Sequence, residues 1–130
     1  LIQLQKLPNG NRRRMSITNR YKENFANSSI FMPFSKMPHN YESAYHILPV
    51  LLPKNSNRKD VINFLKSNGI QSSIHYPPFW GFTAYKGLFT STDTPIASRI
   101  CEYQLTLPLF PTMTNEEVDK VTSVLLNAIS

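Results

Sequence analysis

The sequence is short of glycine, cysteine and acid. Its 130 residues hold 4 glycines, 1 cysteine and 8 carboxylates, against 14 lysines and arginines. With so little glycine, neither a phosphate-cradling P-loop nor a dinucleotide fingerprint occurs. Cys101 stands alone, which excludes an internal disulfide and a thiolate metal cluster. It falls in a predicted amphipathic helix and reads as a buried structural thiol rather than a nucleophile. The lack of disulfides fits a reducing, cytoplasmic compartment. No apolar run is long enough to span a membrane, because Pro49 and Pro53 interrupt the best candidate, and no signal-peptide pattern is visible. No membrane partner is therefore expected. Glu116-Glu117 is the one acidic pair near a structured element, and it opens a helix rather than forming a catalytic couple.

What is present is basic and aromatic. The net charge is +6 and the pI about 9.6, so an acidic partner such as a nucleotide diphosphate, nucleic acid or anionic lipid is chemically conceivable. The basic residues are spread along the chain, as on a solvated surface. Arg12-Arg13-Arg14 could grip phosphates, but no aromatic residues interleave with them, so nucleic acid is not the expected partner. The hydrophobic content of 41% and the length suit one modest core.

Periodicity places the elements. Leu1, Leu4 and Leu7 share helical spacing, Pro8-Asn9-Gly10 is a strong breaker, and Ile17, Tyr21 and Phe25 line one face of a helix over 11–25. A kink or break at Pro8 is expected, which would put three arginines unfavourably in the first turn of the second helix. Residues 27–40 read as an irregular connection. Tyr45 to Leu52 is a strand candidate in which Pro49 argues for an edge position or a bulge. Asn57 caps a helix over 58–68 that stops at Gly69. Ile70 to Ile74 is a short strand, 77–94 an aromatic loop with one possible helical turn near Ala84-Tyr85, and 95–103 a helix opened by Pro95. Leu105 to Leu109 is a third strand. Thr114 and Glu117 form a capping box before a last helix lined by Val118, Val121, Leu125 and Ala128. Together these predict an α+β fold, a small sandwich with helices packed on a short, about three-stranded, mainly antiparallel sheet.

The segment Gly69-Ile70-Gln71-Ser72-Ser73-Ile74-His75-Tyr76-Pro77-Pro78 carries the sharpest functional signal. It throws an imidazole and a phenol into a loop whose backbone the prolines restrict. His75 and Tyr76 are candidates for contacting a phosphate or a sugar hydroxyl; the alternative is a histidine bonded into its own loop. Tyr76, Phe79, Trp80, Phe82 and Tyr85 could stack on a base or sugar ring, or serve as a hydrophobic plug under the loop. His46 reads as structural, Arg58 as a solvated first-turn arginine or a substrate contact, and His39 receives no role. No Cys/His metal spacing exists.

Read in order, Ala44-Tyr45-His46, Arg58 with the helix to Gly69-Ile70, His75-Tyr76, Tyr85, Pro95, Leu107-Pro108-Leu109 and the closing helix resemble the C-terminal part of the DegT/StrS family of sugar aminotransferases. Trp80 departs from that resemblance, standing where family members often carry a second histidine. The resemblance implies the small C-terminal domain of a pyridoxal-phosphate enzyme that aminates a nucleotide-linked keto-sugar, with a homodimer in the intact protein. It implies that residues 1–26 are a helical segment continuing from or packing on a missing N-terminal domain, and that 27–130 form the small domain. The lysine that holds the cofactor as a Schiff base would lie upstream, so this chain alone is expected to hold no cofactor and to catalyse nothing. The start at Leu1 rather than Met fits a fragment. His75, Tyr76, Trp80 and Tyr85 are the expected substrate-side residues. The competing reading is a stand-alone binding module for an anionic glycan, a nucleotide or nucleic acid, and a fragment should differ from it by exposing an apolar patch.

Overall fold

A computed structural model describes residues 1–36 and 40–130; His39 and part of the expected 27–40 connection fall outside them. Among the described residues four α-helices, α1 (Ile2–Asn24), α2 (Arg58–Ser67), α3 (Pro95–Tyr103) and α4 (Asn115–Ala128), surround two strands, β1 (Leu48–Leu51) and β2 (Gln104–Leu107). The fold is α+β, as the patterning implied, but its sheet has two strands rather than three.

The strands pair antiparallel, with Leu48 opposite Leu107 and Val50 opposite Leu105. Each outer edge carries a single-residue bridge, Phe31 to Leu51 and Ser73 to Thr106. Proline limits the growth of both bridges. In the Ser73–Thr106 register the next hydrogen-bonded pair would join Gln71 to Pro108, which has no N–H to give. On the other edge, extending Phe31–Leu51 would set Pro33 against Pro49. Pro49 is therefore tolerated as an edge position requires: the Leu52 N–H to Tyr103 C=O bond fixes the register so that the Pro49 nitrogen faces away from β2.

The face bearing Leu48, Val50, Leu105 and Leu107 is buried under α2 and α4, whose Val61, Leu65, Val118, Val121 and Leu125 complete one core with Ile17, Tyr21 and Phe25 of α1. Burial pushes the Tyr21 phenol up, and its hydroxyl donates to the Pro108 carbonyl at 3.2 Å. The expected break at Pro8 does not occur, and α1 runs unbroken through Pro8-Asn9-Gly10. Proline removes one backbone bond there, but tertiary contacts fix the helix beyond it. Arg13 donates to the Met113 carbonyl at 2.6 Å, and Arg14 to that of Ala44 at 3.3 Å. The arginine run thus lies mid-helix and ties loops down. The first turns of α1 remain uncovered, with Leu1, Ile2, Leu4 and Leu7 exposed.

Helix α2 is capped by Asn57, whose side chain accepts from the Lys59 N–H at 3.0 Å. It ends in a Schellman turn: Gly69 takes φ +74°, its N–H reaches the Lys66 carbonyl, and the Ile70 N–H reaches Leu65. At α4 both halves of the capping box form between Thr114 and Glu117.

Arg20 and Asn24 of α1 grip Asp119 of α4, with Arg20 Nε donating at 2.8 Å and Asn24 Nδ2 at 2.9 Å. These donors, Arg20 first, depress the Asp119 carboxyl to about 2. An unfolded aspartate titrates near 3.9. The stabilisation is therefore complete above about pH 4 and is lost as pH falls through the folded value near 2. The melting temperature of the wild type is expected to exceed that of Asp119→Asn at pH 6, and the gap to close towards pH 2. A gap that stays constant across this range would show that the carboxylate charge is not what links the helices.

Candidate functional site

The Gly69–Pro78 segment is positioned from both ends. The Schellman turn starts it, and the paired N–H and C=O bonds between Ser73 and Thr106, at 3.1 and 2.8 Å, pin its middle to β2. His75 then lies over the sheet face opposite the core, where its Nδ1 is 3.0 Å from Thr106 Oγ1. Gln104 Nε2 donates to the same hydroxyl at 2.8 Å. Gln104 and Thr106 are 5% and 4% exposed, and Gln104 Oε1 has no partner. His75 is thus one end of a buried polar chain that leaves its Nε2 edge available. The Tyr76 ring meets the His75 ring edge-on at 5.1 Å and is 73% exposed. The peptide bond between the two residues is cis. The Tyr76 carbonyl accepts a weak bond from the thiol of Cys101, which is half-buried and not enclosed as expected.

The aromatic loop folds on itself rather than under the core. Two short 3₁₀ turns, Phe79–Gly81 and Thr83–Tyr85, bring Trp80, Tyr85 and Phe89 to 5.3, 5.6 and 5.5 Å from Phe79. Phe79 is the hub and its neighbours stay partly open, so the residues form a surface cluster and not a buried plug.

The four expected substrate-side residues therefore form two pairs. His75 is joined to Tyr76, and Trp80 is joined to Tyr85 through Phe79. His75 shares a groove of about 530 Å³ with His46, Ser73, Thr106, Glu117 and Lys120, floored by Leu107, Met113 and Val121. Trp80 lines a separate cleft with Arg58 and α3. Arg58 also has a structural task, since its guanidinium donates to the carbonyls of Cys101 and Gln104 where α3 gives way to β2. Thr106 and Gln104 escaped the sequence reading. Alternation with Leu105 and Leu107 marks them as a solvent face, and only the fold covers that face.

A pyridoxal phosphate needs a sheltered lysine and an acid opposite its ring nitrogen. The described lysines are all exposed. Lys120, the one in the His75 groove, neighbours Glu117, whose carboxylate is engaged in the α4 cap. These residues do not fit the cofactor. Among the described residues there is also no group of three or more His, Cys, Asp or Glu side chains able to hold a metal, and no helix long and apolar enough to cross a membrane.

Superposition on solved structures identifies the architecture as the aminotransferase kind. Nearly the whole chain, 98%, matches Spr1654 of Streptococcus pneumoniae, assigned as a sugar aminotransferase, at a TM-score of 0.91 and 34% identity over 33% of that protein. TlmJ, an aminotransferase of Streptoalloteichus hindustanus, matches at 0.86 with 25% identity over 34% of its length. PseC of Helicobacter pylori, an aminotransferase of pseudoaminic acid biosynthesis, shares the fold at 0.89 with 21% identity, covering 99% of this chain and 35% of PseC. The protein MJ1066 of Methanocaldococcus jannaschii is 29% identical over 98% of this chain and 34% of its own. The chain belongs to the DegT/DnrJ/EryC1/StrS aminotransferase family, whose sequence profile matches residues 1–126. It spans about a third of the length of the relatives it matches.

Proposed function

We propose that this chain is the C-terminal part of a cytoplasmic, homodimeric, pyridoxal-phosphate-dependent aminotransferase acting on a nucleotide-linked keto-sugar in sugar or polysaccharide biosynthesis. The observation that carries this reading is the match of 98% of the chain to a third of Spr1654 at 34% identity. The exposed lysines support a cofactor held elsewhere in a longer polypeptide. Exposed Leu1, Ile2, Leu4 and Leu7 support a face that packs on the remainder. When bound there, the cofactor supplies the electron sink for amino transfer. The role of the present residues is to bind and orient. His75, held at Nδ1 by Thr106, offers Nε2 to a substrate oxygen, Tyr76 offers an exposed phenol, and Trp80 and Tyr85 offer ring faces.

The test is Tyr76→Ala in the polypeptide at its native length. The KM for the nucleotide-linked sugar is expected to rise about tenfold, the loss of one charge-free hydrogen bond and its contact area. The melting temperature should not change, because the ring is 73% exposed. An unchanged KM would overturn the assignment of Tyr76. Amino transfer by the 130-residue chain alone would overturn the placement of the cofactor elsewhere.

A further inference from the structure

The polar chain beneath His75 has a direction, and that direction decides where the ring proton of His75 lies. Gln104 and Thr106 stand two positions apart on β2, so their side chains share one face of the strand. Both are buried, and His75 lies over that face. The Gln104 backbone is held by Arg58, which donates to its carbonyl at 3.1 Å. The Gln104 amide then donates through Nε2 to Thr106 Oγ1 at 2.8 Å. A threonine hydroxyl has a proton of its own to place besides its lone pairs. Among the described residues Thr106 Oγ1 has one other polar neighbour, His75 Nδ1 at 3.0 Å. The hydroxyl proton therefore points at Nδ1 or lies buried with no acceptor, and buried donors without a partner are rare and costly. Were the Gln104 amide reversed, Thr106 would donate to the amide oxygen and could accept from an Nδ1–H. Ser73 Oγ also faces Nδ1, but at 3.5 Å, too long for more than a weak bond, and Ser73 is exposed and can turn to water. Among the described residues no carbonyl or carboxylate, the common acceptors of an Nδ1–H, bonds to the ring.

We infer that Gln104 and Thr106 are positioning residues that make His75 a fixed hydrogen-bond donor: the Thr106 hydroxyl, directed by the Gln104 amide, donates to Nδ1 and leaves the proton of the neutral ring on Nε2. No described residue bonds to Nε2, and His75 lines the groove floored by Leu107, Met113 and Val121. A fixed Nε2–H selects the chemistry of its ligand. It serves an oxygen that accepts without donating, such as a carbonyl or phosphoryl oxygen, and offers nothing to an ammonium group, which can only donate. The sequence gave Gln104 no role, and its task is exercised through Thr106 without touching the ligand. The inference deepens the proposed function by stating which kind of substrate atom His75 meets. It rests on that reading for the identity of the ligand, while the place of the proton is read with no substrate present.

The test is a long-range proton–nitrogen correlation spectrum of the histidine rings in the 130-residue chain. The chain is checked for native helix content by circular dichroism and held at about pH 8.5, where an ordinary imidazole is neutral. The His75 signals are assigned by their loss in His75→Gln, and exposed His46 serves as the reference for a freely exchanging ring. His75 is expected to show one tautomer, with a pyrrole-type Nε2 and a pyridine-type Nδ1, while His46 shows averaged shifts. Thr106→Val combined with Gln104→Leu removes the chain and should bring His75 to averaged shifts like those of His46. Gln104→Glu, whose carboxylate takes the Thr106 proton, should put a proton on Nδ1. In the polypeptide at its native length, His75→Met should raise the KM for the proposed sugar substrate about tenfold more than His75→Gln, whose amide can still donate near the place of Nε2. A pyrrole-type Nδ1 in the wild type overturns the inference. Unchanged His75 shifts in the double variant show that the ring follows its own preference and overturn it too. A bare Nδ1 in a folded Gln104→Glu chain overturns the part assigned to Gln104, and equal KM values for His75→Met and His75→Gln overturn the donor role. Failure of the proposed function is distinct from all of these, since the wild-type polypeptide at native length would then aminate no nucleotide-linked sugar whatever the spectra show.

Discussion

Leu105→Ala is expected to cost about 2–5 kcal/mol of unfolding free energy, a large share of the roughly 5–15 kcal/mol that holds a domain together. Leu105 is fully buried at the centre of β2, opposite Val50, on the face that α2 and α4 cover. Both flanks of its strand are occupied, β1 on one side and the Ser73 bridge on the other. The backbone around the missing isobutyl group therefore has little freedom to collapse, and the cavity should persist. Urea denaturation followed by far-ultraviolet circular dichroism measures the loss as a drop in midpoint at unchanged slope. A shift of only a few tenths of a kcal/mol would mean that the two-stranded sheet is not the keystone of this core.

Thr106→Val should be the second most damaging change, at about 1–3 kcal/mol, although valine matches threonine in shape. The hydroxyl it removes receives Gln104 Nε2 at 2.8 Å and contacts His75 Nδ1 at 3.0 Å. Without it, a buried Gln104 amide that already has an orphan Oε1 also loses its donor's partner. The cost thus arises from desolvation and not from packing. Gln104→Leu combined with Thr106→Val should recover much of the loss, because replacing both partners by apolar groups removes the unpaired atoms altogether. A double-mutant cycle on melting and urea curves checks this, and additive losses would argue against the hydrogen-bonded chain. In the polypeptide at its native length, Thr106→Val should also free the His75 ring and raise the KM for the sugar substrate proposed above. That effect should persist in the stability-restored double variant.

The residues that were legible in the sequence are those whose structure is decided within a few positions. The Thr114/Glu117 capping box, the Asn57 cap, the stop at Gly69 and the helix opened by Pro95 all form as local chemistry dictates. The face of Ile17, Tyr21 and Phe25 was equally plain, since 3.6-residue spacing survives whatever it packs against. The order of motifs was enough to mark the family, because order and spacing are properties of the chain itself.

Long-range contacts decided the rest. Local propensity broke α1 at Pro8-Asn9-Gly10; contacts of Arg13 and Arg14 with distant carbonyls kept it whole. A short run bounded by turn signals predicted a strand at Ile70–Ile74, but its growth towards Ile70 depends on the partner residue, and that partner is Pro108. Composition alone fixed the basic charge, the absence of disulfides and the want of glycine phosphate loops. Only the tertiary structure set His75 on the Thr106 hydroxyl, 31 positions away, and parted it from the Trp80 cleft, because these residues meet through the register of β2 and the course of α3. Side-chain spacing along a chain records which faces are apolar, whereas which polar groups become neighbours is settled by how those faces close on one another.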